Sequence, residues 1–276
     1  MPRTTVDRQT TRRRAATAMA ATGLVGDVAR KLAPHGIFVM PTKGALLQHW
    51  LYDDPADRAM TDVDLLLLPG DVARVVGVLE ASGYRQTAHQ SVGGVVMETS
   101  FGLALDLHPG LFDRFRYRLP AEEVFARGTW DETLFDARVR LPSPLDAYAH
   151  LVGKAGSDHL HLGSVDRLDE IARMGRHLRT SSETAARHLV GCGMKRVSRY
   201  ALPLVHDATG DRFARQVADH LPFDPIGRAI AHVARGIFAR TSPSSSIGAV
   251  AAHSMNDSLP RGAYSGVRGM LARRCR

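Results

Sequence analysis

Apolar positions in the first half of the chain change their period several times. Residues 15–33 carry small and apolar side chains at helical spacing and run out at Pro34 and Gly36, which predicts one helix. "GIFVM" (36–40) is a short unbroken apolar run and reads as a strand. "PTKGALLQHWLYDDP" predicts a turn, a helix from about Gly44 to Tyr52, and a loop. "DVDLLLL" returns to a continuous apolar run, as in a strand covered on both faces. "PGDVARVVGVLEASGY" is helical, with Val72, Val75, Val76 and Leu79 on one side and Gly83 closing it. Two or three strand-like pieces follow, "YRQTA", "GVVMETS" and "LALDLH", separated by glycines that suit hairpin turns, Gly93 and Gly94 among them.

The pattern changes after "RVRLPSP", where Pro142 and Pro144 mark a boundary. "LDAYAHLVGKAG", "SVDRLDEIARMGRHL", "SETAARHLVGCG" and "MKRVSRYALPLVHDA" read as consecutive helices. The fold class expected is α+β: a small mixed β-sheet with helices on one side, followed by a mainly helical C-terminal region. Four divisions follow: a disordered basic N-terminus (1–14), an α/β domain (15–142), a helical domain (143–240), and a flexible Ser/Gly/Arg-rich tail (241–276).

Charge narrows the choice of partner. The net charge is +8 and the pI about 10.0, which favours nucleotides, nucleic acid or acidic surfaces. Arginine supplies most of it, the lysines being Lys31, Lys43, Lys154 and Lys195; a GC-rich genome produces the same bias. Aromatic residues make up 6%, too few to suggest stacking platforms for single-stranded nucleic acid. Two cysteines, Cys192 and Cys275, form neither a disulfide framework nor a metal cluster, so a reducing cytoplasm is expected. No apolar run has the length of a membrane span. "RRRAATAMAATGLVG" sets basic residues before an alanine-threonine run, which reads as an amphipathic helix rather than an export signal.

The chemistry lies in "RAMTDVDLLLL". Asp62 and Asp64 open an apolar strand, where a bare charge is costly. Alternation sends both to one face, with Cα atoms roughly 6.5 Å apart. Two carboxylates so placed can converge on a hard divalent cation such as Mg²⁺, which takes carboxylates together with substrate phosphates. Asp106 in "LALDLHP" sits in a second apolar strand, suited to a second metal or to taking a proton from an attacking hydroxyl. The competing reading has these aspartates capping turns or pairing with arginines. Upstream, Lys43 and Gly44 precede a helix whose N-terminal N–H groups suit an anion. Arg58 is placed either to contact a triphosphate or to form a loop salt bridge. His159 and His161 in "DHLHLG" lack the matching ligands of a zinc site. Arginines from Arg261 to Arg276 suit nonspecific polyanion binding or simple solvation.

Taken together, these segments resemble the uncharacterised nucleotidyltransferase family of the polymerase-β-like nucleotidyltransferase superfamily. The resemblance rests on Lys43-Gly44-Ala45, Tyr52, Arg58, Met60, Asp62-Val63-Asp64-Leu65-Leu66 and Gly83-Tyr84, in that order. The "LDLH" segment with Asp106 and His108, and the helical segment with Lys154, His159 and Asp169, extend it over about residues 35–175. Ala45 stands where a serine or glycine is usual, Ala59 replaces a proline, and Pro109 replaces an aromatic.

The resemblance implies transfer of an NMP from an NTP to a hydroxyl, with release of pyrophosphate. Mg²⁺ or Mn²⁺ would be held by Asp62, Asp64 and Asp106, while Lys43, Gly44, Arg58 and Lys154 would hold the phosphates. A small-molecule acceptor is the first expectation. RNA or a protein side chain as acceptor, a non-catalytic nucleotide-binding module, and a nucleotide-sugar glycosyltransferase are the alternatives. The Lys-Gly turn upstream disfavours the last.

Overall fold

The computed structural model describes residues 8–87, 94–113, 116–242 and 245–258. They fall into two compact units: residues up to 111 together with 120–143, and residues 112–119 together with 144 onward.

The first unit opens with α1 (Arg8–Leu32), followed by β1 (Met40–Thr42), α2 (Lys43–Leu51), β2 (Asp62–Leu66) and α3 (Val72–Ala81). Then come β3 (Arg85–Gln86), β4 (Val95–Glu98), β5 (Ala104–His108), α4 (Ala121–Arg127), β6 (Thr129–Asp131) and β7 (Val139–Leu141). Five strands form one mixed sheet in the order β1-β2-β5-β4-β3. Only β2 and β5 run parallel; the other neighbours are antiparallel. β6 and β7 make a separate hairpin.

Alternation along β2 and β5 explains why leucines and aspartates coexist there. Val63 pairs with Leu105 and Leu65 with Leu107, and these four side chains point into the core. Leu24, Val25, Val28 and Leu32 of α1, Leu46 of α2 and Leu79 of α3 pack in that same core. Asp64 and Asp106 fall on the alternate positions and so belong to the opposite face of the sheet. The helices on one face thus leave the other for polar chemistry. Gly83, with φ of +91°, takes the left-handed conformation that ends α3.

The second unit is helical: α5 (Pro144–Ser157), α6 (Val165–His177), α7 (Ser182–Gly191), α8 (Lys195–Thr209), α9 (Arg212–Asp219), α10 (Pro225–Phe238) and α11 (Ser246–Ser254). α8 is its central element, burying Val197, Tyr200, Ala201, Leu202 and Val205. Four of these helices begin on a side-chain cap: Ser181, Asp211, Asp224 and Ser245 each accept from the backbone N–H three residues on.

Several boundaries differ from the sequence reading. α1 begins at Arg8, so residues 8–14 are helical rather than disordered; the exposed polar side chains of residues 9–14 hide the helix. The first strand occupies Met40–Thr42 rather than 36–40, Gly36 serving instead to end a short turn with φ of +68°. Ser246–Ser254, within the stretch read as a flexible tail, forms α11. The Gly93 turn, residues 1–7, and the tail from 259 onward, including Cys275 and the arginines from Arg261, lie outside the described residues. Among the described residues no helix is long and apolar enough to cross a membrane.

Candidate functional site

β2 and β5 position the acids. Their parallel register sets Asp64 directly beside Asp106, and two carboxylates on neighbouring strands necessarily share one face. His108 follows Asp106 by two residues, so alternation returns it to that face. Its Nε2 lies 2.9 Å from Asp64 Oδ1 and 3.1 Å from Asp106 Oδ2. One ring nitrogen therefore faces two carboxylate oxygens.

β1 brings the cation. Thr42 is the register partner of Asp64, and its hydroxyl lies 3.5 Å from the Asp64 carbonyl. The chain leaves β1 at Thr42 and enters α2 through Lys43, whose φ is +46°. A lysine in the left-handed region is strained by about 1 kcal/mol or more. The turn carries Lys43 Nζ to 2.5 Å from Asp64 Oδ1. Asp64 Oδ1 thus takes both Lys43 and His108.

Burial and charge set the protonation states. The Asp64 side chain is 7% exposed. Burial alone would raise its pKa, but the hydrogen bond from His108 and the charge of Lys43 hold it well below the usual carboxylate range. Burial works against protonated His108, yet the hydrogen bonds and negative charge of Asp106 and Asp64 raise its pKa above the ordinary value.

Gly44 serves a different neighbour from the one expected. A Cβ there would stand 2.8 Å from Arg58 Nη1 and 3.0 Å from Met60 Sδ. The missing side chain admits a guanidinium to the first turn of α2. The Thr42 side chain makes no capping hydrogen bond to α2, so that end of the helix and Arg58 together form an electropositive corner.

The sequence-predicted residues are therefore placed unequally. Asp64, Asp106 and Lys43 come together, and Arg58 meets Gly44 beside Lys43. Asp62 is exposed at the start of β2, where it accepts from the Thr61 hydroxyl at 3.0 Å. Lys154 lies in the helical unit, with its ammonium 3.0 Å from Asp158 Oδ1. His108 is the member of the cluster to which the sequence reading assigned no role; the period-2 spacing in "LDLH" is the signal that marks it.

Asp64, Asp106 and His108 offer ligand atoms that all lie within 4.8 Å of one another, the one such group of three among the described residues. Asp62 does not join this group. Two carboxylates and an imidazole at a strand end suit a divalent cation by donor chemistry.

A family model described as uncharacterised nucleotidyltransferase matches residues 4–210. No curated protein matches the chain. Among solved structures, the chain is similar to an antigenic nucleotidyltransferase-like protein from Paracoccidioides brasiliensis, with 15% identity and a TM-score of 0.46. That likeness covers 72% of this chain and 92% of the other.

Proposed function

Because the chain belongs to the uncharacterised nucleotidyltransferase family, we propose that it moves an NMP from an NTP to a hydroxyl of a small-molecule acceptor, with Mg²⁺ or Mn²⁺ at the sheet. The observation that carries this reading is the convergence of Asp64, Asp106 and His108 beside Lys43. Asp64 and Asp106, with Asp62 at the mouth of the strand, would hold a divalent ion, which would neutralise charge on the triphosphate.

The protein's own groups do the rest. Lys43 exchanges its contact with Asp64 for a phosphate oxygen, and Arg58 adds a second cation at the start of α2. Asp106 accepts the proton of the acceptor hydroxyl. The hydroxyl oxygen forms a new bond to the α-phosphorus, the bond from that phosphorus to the bridging oxygen breaks, and pyrophosphate leaves with the electron pair. Positioning accounts for most of the rate, since two reactants held in line replace a bimolecular encounter.

The test is incubation with each labelled NTP, Mg²⁺ or Mn²⁺, and panels of hydroxyl acceptors, following pyrophosphate and the label. Transfer to a small molecule that disappears in Asp64→Ala is the expected result. Label on RNA or on the protein itself moves the acceptor to those classes. Nucleotide binding with no pyrophosphate from any NTP would replace the enzyme with a binding module.

A further inference from the structure

We infer that His108 is itself a metal ligand, and that it makes this site prefer Mn²⁺, an ion that tolerates imidazole, over Mg²⁺. The inference rests on the metal-dependent reading above and adds to it a third donor and an order of ion preference.

The spacing of these groups matches that of neighbouring donors around one ion. An octahedral ion with donors at about 2.1 Å has neighbouring donors roughly 3.0 Å apart. His108 Nε2 stands 2.9 Å from Asp64 Oδ1 and 3.1 Å from Asp106 Oδ2. The same nitrogen thus occupies a corner adjacent to both oxygens.

The backbone fixes this placement. Asp106 and His108 belong to one strand and one face, and the parallel register holds Asp64 level with Asp106. The His108 side chain is 19% exposed, which limits the rotamers that would turn the ring away. Lys43 also contacts Asp64 Oδ1, so an arriving ion competes with an ammonium for that oxygen. An imidazole donor disfavours Mg²⁺, which selects oxygen ligands and keeps its waters; Mn²⁺ also suits carboxylates but opens the first-row divalent series whose affinity for nitrogen-containing sites exceeds that of Mg²⁺.

The experiment titrates the full chain with Mn²⁺ alone, followed by electron paramagnetic resonance, and displaces it with Mg²⁺. The expected result is Mn²⁺ bound about tenfold or more tighter than Mg²⁺, with a ¹⁴N coupling from a directly bound imidazole. His108→Gln should abolish that coupling and weaken Mn²⁺ about 10- to 100-fold, a loss of the size expected for groups that orient or hold a metal, while Mg²⁺ changes several-fold less. Bound Mn²⁺ without nitrogen coupling, or equal losses for both ions in the variant, would overturn the inference and leave nucleotidyl transfer untouched. Nitrogen coupling in a chain that releases no pyrophosphate would sustain the inference and remove the transfer reading. Failure to bind either ion defeats both. The wild-type spectrum decides the point even where His108→Gln misfolds.

Discussion

Among the described residues a histidine meets the carboxylate of a buried aspartate twice, once on the sheet and once among the helices, and the two settings differ. In the helical unit His188 Nε2 lies 3.1 Å from Asp146 Oδ1, and the Asp146 side chain is fully buried. The third member there is Cys192, whose Sγ is 3.6 Å from the same nitrogen. On the sheet His108 faces two carboxylates, and a lysine shares one of them. The helical cluster is a charge pair of the sort that completes a core. The sheet cluster brings like charges to adjacent positions, which folding does not require and which destabilises unless cations gather there. Two carboxylates sharing a histidine and a lysine at a strand end, in place of one acid with one histidine, are what separate the candidate site from the structural pair.

Substitutions can break this comparison. The largest expected effect is Asp64→Asn, which should lower nucleotidyl transfer by about 10³-fold or more, equivalent to about 4 kcal/mol, while the melting temperature stays close to wild type. Pyrophosphate release and a thermal melt measure the two. An Asp64→Asn chain that unfolds yet retains transfer per folded molecule would erase the distinction.

Asp146→Asn should do the reverse. Leaving His188 beside a neutral amide in a buried pair costs on the order of 3 kcal/mol of stability, read from urea unfolding, with transfer by the folded fraction retained.

Next in size is a pH effect on the helical unit. Burial lowers the His188 pKa, but the hydrogen bonds and charge of Asp146 and Cys192 outweigh it and raise it from 6.5 to about 9. A raised histidine pKa contributes stability that is complete below about 6.5 and is lost as pH rises through about 9. The loss should be on the order of 2 kcal/mol, measured as urea midpoints at pH 6 and pH 10, and His188→Gln should flatten it.

The smallest effect sharpens the site's edge. Gly44→Ala adds helix propensity of up to about 1 kcal/mol, but its Cβ must displace the end of Arg58. Net stability should change by less than about 1 kcal/mol, while the apparent affinity for NTP falls a few-fold.

How much of this was legible in the sequence depends on what each feature requires. β2 and β5 announced themselves because an acid inside an apolar run breaks the pattern in a way that only alternation resolves. α3, α5, α6, α7 and α8 were readable from helical period and caps, and the mixed sheet followed by helices is the architecture observed. The β6–β7 hairpin was missed because three-residue strands carry too few alternations to register. α1's early start was hidden by exposed arginines, which fit a solvated helix as well as a coil. In the site, Asp64 and Asp106 were singled out from local sequence, and the parallel register sets them side by side. Lys43's contact with Asp64 and the filling of Gly44's open side by Arg58 depend on β1 lying against β2, a pairing that no local pattern encodes. Asp62 and Asp64 looked equivalent in sequence; the structure separates them because one begins the strand in solvent and the other lies within it.

The parallel junction between β2 and β5 has a further consequence for how the chain matures. Asp64 and His108 stand 44 residues apart in sequence and become neighbours only when a long intervening segment has closed. A partly synthesised chain that ends before β5 carries one of the three donors, Asp64, and lacks the converged set that would trap an ion. On the proposed reading, cation uptake therefore reports completion of the sheet, and an ion that prefers the finished form draws late intermediates toward it by mass action.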